Sequence, residues 1–201
     1  MWFNTRMLSR IVLALAACGE EPLPEDPAAV EPRAESAQVT PMVGLDCPEG
    51  TTLEENRRAD GTERWCDRKG VQDGPYARFY PDGSRAVQGT WNDNQEDGTW
   101  VWWHENGQES ARGRYIRGRQ SGSWTWYWAN GNRSREGDYL QGREAGTWTA
   151  WYESGRKREE GLYHNGVKNG TWSYYVDNEE NALSLTETWK NGVGVTPPKT
   201  E

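Results

Sequence analysis

Thiol and imidazole side chains are few in this sequence: three cysteines and two histidines. Cys18, Cys47 and Cys66 offer thiols for acylation or for a disulfide. Two cysteines with the distant His104 and His164 do not make a metal site, which needs ligands that meet at one point. Gly-rich phosphate loops and the HExxH, GxSxG and CxxC motifs are all absent from the sequence. We therefore predict no catalytic site, no metal and no cofactor.

The segment that ends at Cys18 has the order of a bacterial export signal. Arg6 and Arg10 precede an apolar run at residues 11–17, and this run is too short to span a bilayer. It ends in Leu15-Ala16-Ala17-Cys18, which resembles the lipobox of bacterial lipoproteins. The alternative is an apolar stub followed by a chance cysteine.

The lipoprotein resemblance implies how this segment is processed. Residues 1–17 are then a signal peptide, read from either Met1 or Met7, and acylated Cys18 becomes the membrane anchor. Each buried methylene of an acyl chain contributes about 0.8 kcal/mol to anchoring. Gly19 after the cysteine favours, by the same resemblance, the outer membrane in the cell envelope of a diderm bacterium.

With Cys18 acylated, the other two cysteines are left as a pair. Cys47 and Cys66 are then expected to form a disulfide, which an exported chain permits, and the alternative is two buried free thiols. Both lie in residues 47–72, which we predict to be a cap or degenerate repeat. Residues 18–46 are rich in proline and glutamate, which predicts a disordered, acidic tether beginning at the acylated cysteine.

The composition favours an unusual β-structure. The 201 residues include 13 Trp, 9 Tyr and 23 Gly, but only 34% are hydrophobic. So many aromatic residues exclude simple disorder, and too few aliphatic residues exclude an ordinary α/β enzyme core. The net charge of −8 makes nucleic acid an unsuitable partner.

A 24-residue period organises residues 73–193, and residues 194–201 form a tail. Positions are counted here as residues after the first glycine of each repeat. Aromatic residues recur at positions 2, 5 and 17, and further glycines recur at positions 9, 15 and 20. The five repeats begin at Gly74, Gly98, Gly122, Gly146 and Gly170, and the fifth carries two extra residues before its last aromatic and glycine. This register is the sequence signature of a repeat architecture.

Each repeat has the pattern of a β-hairpin. Asn106-Gly107 predicts a tight turn because Asn and Gly tolerate positive φ, and Arg117-Gly118-Arg119 predicts the turn to the next repeat. A lone hairpin cannot bury its own face, whereas five in series can. We predict an all-β fold: an elongated antiparallel meander of five hairpin repeats, with about ten strands, a disulfide-linked N-terminal cap and all three aromatic columns in the core.

The repeat pattern resembles a known family. Gly-x-Trp-x-x-Tyr, then Asn-Gly, then Gly-x-Tyr-x-x-Gly is similar to the MORN repeat in its bacterial variant form. The resemblance implies a structural or binding module. Some eukaryotic members are linked to membrane lipids or scaffolding, and many bacterial variant proteins are described as antitoxin components. An exported, lipidated chain fits a cytosolic antitoxin poorly.

Six aromatic residues stand outside the three columns, at positions 4 and 6. They are Tyr80 and the five candidate binding residues Trp102, Trp126, Trp128, Tyr152 and Tyr174. Equivalent residues of consecutive hairpins lie about 10 Å apart, a spacing that suits stacking on an extended glycan or peptide. The alternative is that these rings widen the core.

The function that follows is a membrane-anchored envelope lipoprotein whose repeats bind a glycan or protein of the envelope. Two alternatives remain open: a purely structural envelope protein, and an antitoxin or immunity-type protein that neutralises a partner.

Overall fold

The computed structural model describes residues 45–195 as one sheet of 13 antiparallel strands in meander order. The strands are β1 Thr52–Arg58, β2 Gly61–Asp67, β3 Gln72–Phe79, β4 Arg85–Asn92, β5 Gln95–Trp103, β6 Glu109–Ile116, β7 Arg119–Tyr127, β8 Arg133–Leu140, β9 Arg143–Trp151, β10 Lys157–His164, β11 Val167–Tyr175, β12 Leu183–Lys190 and β13 Val193–Val195. This stretch contains no helix, and hence no helix long and apolar enough to cross a membrane. The predicted signal peptide, Cys18 and most of the tether lie outside the described residues.

The predicted meander is confirmed, and ten of its strands, β3 to β12, belong to the five repeats. The N-terminal region continues the same sheet, because β1 and β2 form a hairpin that pairs with β3. Its disulfide is also confirmed: Cys47 and Cys66 are bonded, with their Cα atoms 5.4 Å apart.

Two kinds of turn alternate along the sheet. Between repeats, Arg117-Gly118, Gln141-Gly142 and Asn165-Gly166 have positive φ at both residues, which is the type I′ geometry that suits strand twist. Within repeats the predicted Asn-Gly geometry is wrong in one respect, because Gly107 has positive φ and Asn106 does not. The Asn106 side chain instead donates to Ala129 O in the next repeat, at 2.6 Å.

The sheet has two different faces. We call the side with positions 2, 4 and 17 the stacked face, and the side with positions 3 and 5 the opposite face, since side chains alternate along a strand. Position 2 is buried in four repeats: Trp100 is 4% exposed, Trp124 2%, Trp148 1% and Trp172 2%. Tyrosines at position 17 meet these indoles edge to face, as Tyr139 does with Trp148 at 5.1 Å.

The glycines at position 15 make room for these tryptophans. They are Gly89, Gly113, Gly137 and Gly161, and none has positive φ. A Cβ atom on Gly137 would overlap the indole of Trp148, which lies eleven residues later, and the other three repeat this relation. In the fifth repeat the equivalent residue is Glu187, and no tryptophan follows it at that distance.

The second aromatic column does not join this core, which corrects the prediction that all three columns do. Position 5 is an odd number of residues from position 2, so Trp103, Tyr127 and Trp151 lie on the opposite face and are half-buried. This face is covered at its N-terminal end, where Leu45 packs with Cys66 and Ala77.

Candidate functional site

One row of side chains crosses the stacked face through every repeat. Its members are paired strand to strand, from β3 to β12. In order they are Arg78, Val87, Trp102, Ala111, Trp126, Arg135, Ala150, Glu159, Tyr174 and Leu185. Three of the five candidate binding residues from the sequence, Trp102, Trp126 and Tyr174, lie in this row at position 4.

Trp102 and Trp126 each fill the space between two consecutive position 2 indoles. The Trp126 ring centroid lies 5.5 Å from that of Trp124 and 5.8 Å from that of Trp148. Trp102 lies 5.9 Å from Trp100 and 5.6 Å from Trp124. Both rings are half-buried, so they pack on the core while part of each surface stays open.

The fourth repeat interrupts this series. Position 4 is Ala150, which is 4% exposed, so this repeat has no position 4 ring, and Tyr163 at position 17 meets Trp148 and Trp172 edge to face. A cavity of about 270 Å³ lies at this point, and its lining also includes Tyr163 and Glu159. We call this cavity the Ala150 gap.

Two cations flank the Ala150 gap, each held over an indole. Arg135 Cζ lies 4.1 Å from the ring centroid of Trp148, and Lys168 Nζ lies 3.9 Å from that of Trp172. Cations are attracted to the negative face of an indole, and most strongly where water is partly excluded. A third cation, Arg158, completes the lining.

Carboxylates balance only part of this charge. Glu159 is 3.1 Å from Arg158 and 3.5 Å from Lys168, and Glu144 is 3.7 Å from Arg135. Burial alone lowers the pKa of Lys168, but its hydrogen bond to the Tyr174 hydroxyl and the charge of Glu159 outweigh burial, so the pKa is raised. Lys168 therefore remains a cation at neutral pH.

The other two candidate binding residues lie at position 6, outside this row. Trp128 Nε1 donates to Trp151 O at 3.1 Å, and the Tyr152 hydroxyl donates to Tyr175 O at 2.8 Å. Each bond reaches 23 residues ahead, into the next repeat. Tyr80 and His104 make the same link, to Trp103 O and Tyr127 O respectively. Position 6 is thus a ladder of polar ring tips that joins neighbouring repeats.

His104 and His164 are not brought together. His104 is half-buried in the position 6 ladder, whereas His164 is exposed at the end of β10. Within residues 45–195 no three His, Cys, Asp or Glu side chains lie close enough to hold a metal ion.

The opposite face pairs single rings with single cations. Arg85 lies over Trp103 at 5.4 Å and Arg133 lies over Trp151 at 5.8 Å. This face also has an opening of about 290 Å³, whose lining includes Ser123, Thr125, Glu136, Asp138 and Thr147.

Sequence reasoning missed Ala150 and the charges beside it. The signal was present: position 4 runs Arg78, Trp102, Trp126, Ala150, Tyr174, so the fourth repeat lacks the ring that the repeats on either side of it have. Recognising it requires knowing that Arg135 and Glu159 pair with Ala150 on either side, and β-bulges near the turns shift that register.

Comparisons with known proteins bear on the repeat itself. The family model for the MORN repeat variant matches residues 96–108, 120–141 and 145–165. No curated protein matches the chain. One similar solved structure is described as a Glycosylation Associate Protein (Gap123) complex from Streptococcus agalactiae, with 14% identity over 53% of this chain and 20% of that chain, and a TM-score of 0.31. The chain spans about a fifth of that structure's length. The family match supports a protein built from MORN repeats, in agreement with the resemblance of its sequence motifs.

Proposed function

We propose that this protein is a lipid-anchored component of the bacterial cell envelope whose repeat array is a binding module. Acylated Cys18 holds it at the membrane, in the outer membrane of a diderm bacterium, and residues 18–46 tether the sheet. The stacked face binds a glycan or protein of the envelope.

The anchor is supported by the order of charge, apolar run, small residues and Cys18 at the N-terminus. The Cys47–Cys66 disulfide is consistent with export, because such bonds persist in oxidising compartments. A repeat fold of this kind is typical of interaction modules, which bind along an extended surface.

One observation carries the binding proposal: aromatic rings at position 4 form part of one continuous row on a single face, and the rings are only half-buried. Trp102, Trp126 and Tyr174 all pack against the buried core from the same side. Tryptophan and tyrosine are preferred anchors in binding surfaces because they bury large area at low entropic cost.

The test uses the full-length protein in its native host. Trp102→Leu combined with Trp126→Leu keeps apolar packing but removes stacking surface, and Trp103→Leu with Tyr127→Leu is the matched control on the opposite face. We expect only the first pair to lose co-sedimentation with purified envelope glycan or cross-linking to envelope protein. If both double variants bind envelope glycan and envelope protein as well as the parent does, the proposal is contradicted and a purely structural role is favoured. Capture of a single toxin-like protein favours the antitoxin alternative.

The anchor has its own test. Cys18→Ser is expected to move the protein from the membrane fraction to the soluble fraction, or to leave it unprocessed. Unchanged membrane partition and mass contradict the anchor without touching the binding proposal.

A further inference from the structure

We propose that the packed rings of the stacked face carry single electrons, so that an oxidant attacking a half-buried indole leaves its radical on Tyr76, at the N-terminal end of the repeats. This activity goes beyond the proposed binding function and does not depend on it. Three observations carry it: an unbroken series of ring contacts, an uneven distribution of charge along the rings, and a tyrosine beside a carboxylate at the end of the series.

Neighbouring rings of the stacked face lie close enough together for electrons to pass between them. Five rings form a direct series, which we call the ring path. Successive centroids are 5.5 Å apart for Trp126 and Trp124, 5.6 Å for Trp124 and Trp102, 5.9 Å for Trp102 and Trp100, and 5.5 Å for Trp100 and Tyr76. Electron transfer slows exponentially with distance, so short steps between rings are faster than one long step. Trp126 and Trp102 are half-buried, so an oxidant in solution can reach them.

Charge makes the N-terminal rings easier to oxidise than the C-terminal ones. Three cations line the Ala150 gap beside Trp148 and Trp172, and they are paired with only two carboxylates. Two of these cations lie 4.1 and 3.9 Å from the centroids of the two indoles. An indole that loses an electron becomes a radical cation, which a nearby positive charge destabilises. Among the described residues, no cation lies over the next three indoles of the ring path, which are Trp124, Trp102 and Trp100.

Proton loss determines where the radical stops. Trp100 Nε1 is buried and has no hydrogen-bond partner in residues 45–195 to take its proton, so its radical cation remains a strong oxidant. Trp124 Nε1 donates to Arg114 O, and a carbonyl oxygen is too weak a base to accept the proton. Tyr76 differs, because Glu63 lies diagonally opposite it on the neighbouring strand. Burial and then the charge of Glu63 raise the pKa of Tyr76 to about 12, so the phenol keeps its proton until it is oxidised.

The oxidant belongs to the one-electron radicals, of which the carbonate radical anion is an example. It takes one electron from the Trp126 indole and becomes carbonate, which takes up a proton from water. Electrons then move from ring to ring toward Trp126, until Tyr76 has lost one electron and its proton has passed to Glu63. A one-electron reductant in solution, such as ascorbate, returns the electron to Tyr76, and Glu63 returns the proton. The core thus meets an oxidant without losing an indole.

Pulse radiolysis of the full-length protein tests the transfer. The pulse generates the carbonate radical, and transient absorption distinguishes indole radicals from tyrosyl radicals. In the parent we expect an indole radical that decays into a tyrosyl radical at a rate independent of protein concentration, because the transfer is intramolecular. Absence of the tyrosyl radical, or a rate proportional to protein concentration, overturns the inference.

Two variants locate the end of the ring path. Tyr76→Phe should lose most of the tyrosyl signal and prolong the life of the indole radical. Tyr174→Phe is the matched control, because it removes a tyrosine of the same face whose hydroxyl donates to a carboxylate, Glu187, and it should behave as the parent does. A tyrosyl signal that survives in Tyr76→Phe overturns the assignment of the radical to this end of the sheet.

A second pair of variants tests the route. Tyr115 also contacts both Trp100 and Trp124, so Trp102→Phe is combined with Tyr115→Phe. Phenylalanine keeps the packing but resists oxidation, and we expect transfer to Tyr76 to become several-fold slower. Trp103→Phe with Tyr127→Phe on the opposite face is the control and should leave the rate unchanged. Equal rates in both double variants contradict a route through the stacked rings, and the Tyr76→Phe result is decisive if the first pair folds poorly.

Discussion

On the stacked face rings pack against rings, whereas on the opposite face four of the five position 5 rings, Phe79, Trp103, Trp151 and Tyr175, each lie under a cation. Trp148 meets Trp126, Tyr139 and Tyr163 and is 1% exposed. Trp151, three residues later, is half-buried under Arg133. The same residue type thus serves in the core on one side and at the surface on the other, because strand alternation decides which neighbours it meets.

In this single-layer sheet, the main core lies on one face. Apart from the cover by Leu45 near Ala77, no second layer covers residues 73–193 in the described part of the chain, so large rings on one face bury one another across the strands. Aromatic pairs of this kind add about 0.5–1.5 kcal/mol beyond the burial of area. The opposite face contributes less, and we expect substitutions there to be better tolerated.

The largest difference between the faces is expected for tryptophan truncation. Trp148→Ala should lower the free energy of unfolding by about 3–5 kcal/mol, because it opens a cavity among packed rings. Trp151→Ala on the opposite face should cost about 1–2 kcal/mol, in proportion to its partial burial. Chemical denaturation of both variants measures the difference, and equal losses contradict the assignment of the core to one face.

The cover on the opposite face is expected to depend on the disulfide. Cys47→Ser with Cys66→Ser should cost about 3 kcal/mol, the chain-entropy value for a loop of about 20 residues. The parent under reducing conditions is the control and should lose a similar amount. A melting temperature that is insensitive to both changes would mean that residues 45–48 do not stabilise the first repeats.

A single methyl group on the stacked face is expected to have the next largest effect. Gly137→Ala places a Cβ atom against the Trp148 indole, and overpacking of this kind costs about 1–3 kcal/mol. Gly194→Ala is the matched control, since a Cβ atom there meets nothing within 4 Å. The melting temperatures of the two variants should differ clearly, and a neutral Gly137→Ala would argue against the close approach.

The position 6 ladder is expected to contribute a smaller amount. Tyr152→Phe removes the hydroxyl that donates to Tyr175 O, so we expect a loss of about 0.5–1.5 kcal/mol. Tyr127→Phe is the control, because the Tyr127 hydroxyl makes no hydrogen bond to any residue that the structure describes. The midpoints of urea unfolding are measured for both variants. If the two midpoints coincide, the position 6 hydrogen bond does not contribute to stability.

The smallest effect concerns acid stability on the opposite face. Hydrogen bonds from Lys157 and then from the Tyr175 hydroxyl lower the pKa of Glu160. A folded-state pKa below the unfolded value stabilises the protein above the unfolded pKa, and this contribution is lost as the pH falls through the folded value. When the pH is lowered from about 7 to about 3, the melting temperature of Glu160→Gln should therefore fall less than that of the parent. An identical fall would exclude a contribution of the Glu160 carboxylate to stability.

The strand order and the ten strands of the five repeats could be predicted because the chain repeats itself, whereas β1, β2 and β13 were not predicted. Glycines at fixed positions mark the turns, and five hairpins joined in series by short turns predict an antiparallel meander. The predicted pairing of Cys47 with Cys66 followed from the count of cysteines. The anchor at Cys18 remains a prediction, since it lies outside the described residues.

Other features depend on contacts that no single repeat reveals. Gly137 is recognisable as a glycine column, but its reason lies in Trp148 on the neighbouring strand. His104 looked isolated, yet it shares position 6 with Trp128 and Tyr152 and makes the same bond. The Ala150 gap is a missing side chain, and a missing ring becomes visible only when the rows of neighbouring strands are aligned.

A double-mutant cycle between Gly137 and Trp148 tests the central claim most directly, namely that the stacked face holds the repeats together through indoles seated on glycines. Unfolding free energies would be measured for Gly137→Ala, Trp148→Ala and the double variant. If the indole is what excludes a Cβ atom, Gly137→Ala should cost little once Trp148 is alanine, and the two changes should be non-additive by about 1 kcal/mol or more. Additive costs would contradict the account, because they would mean that Gly137 and Trp148 do not meet.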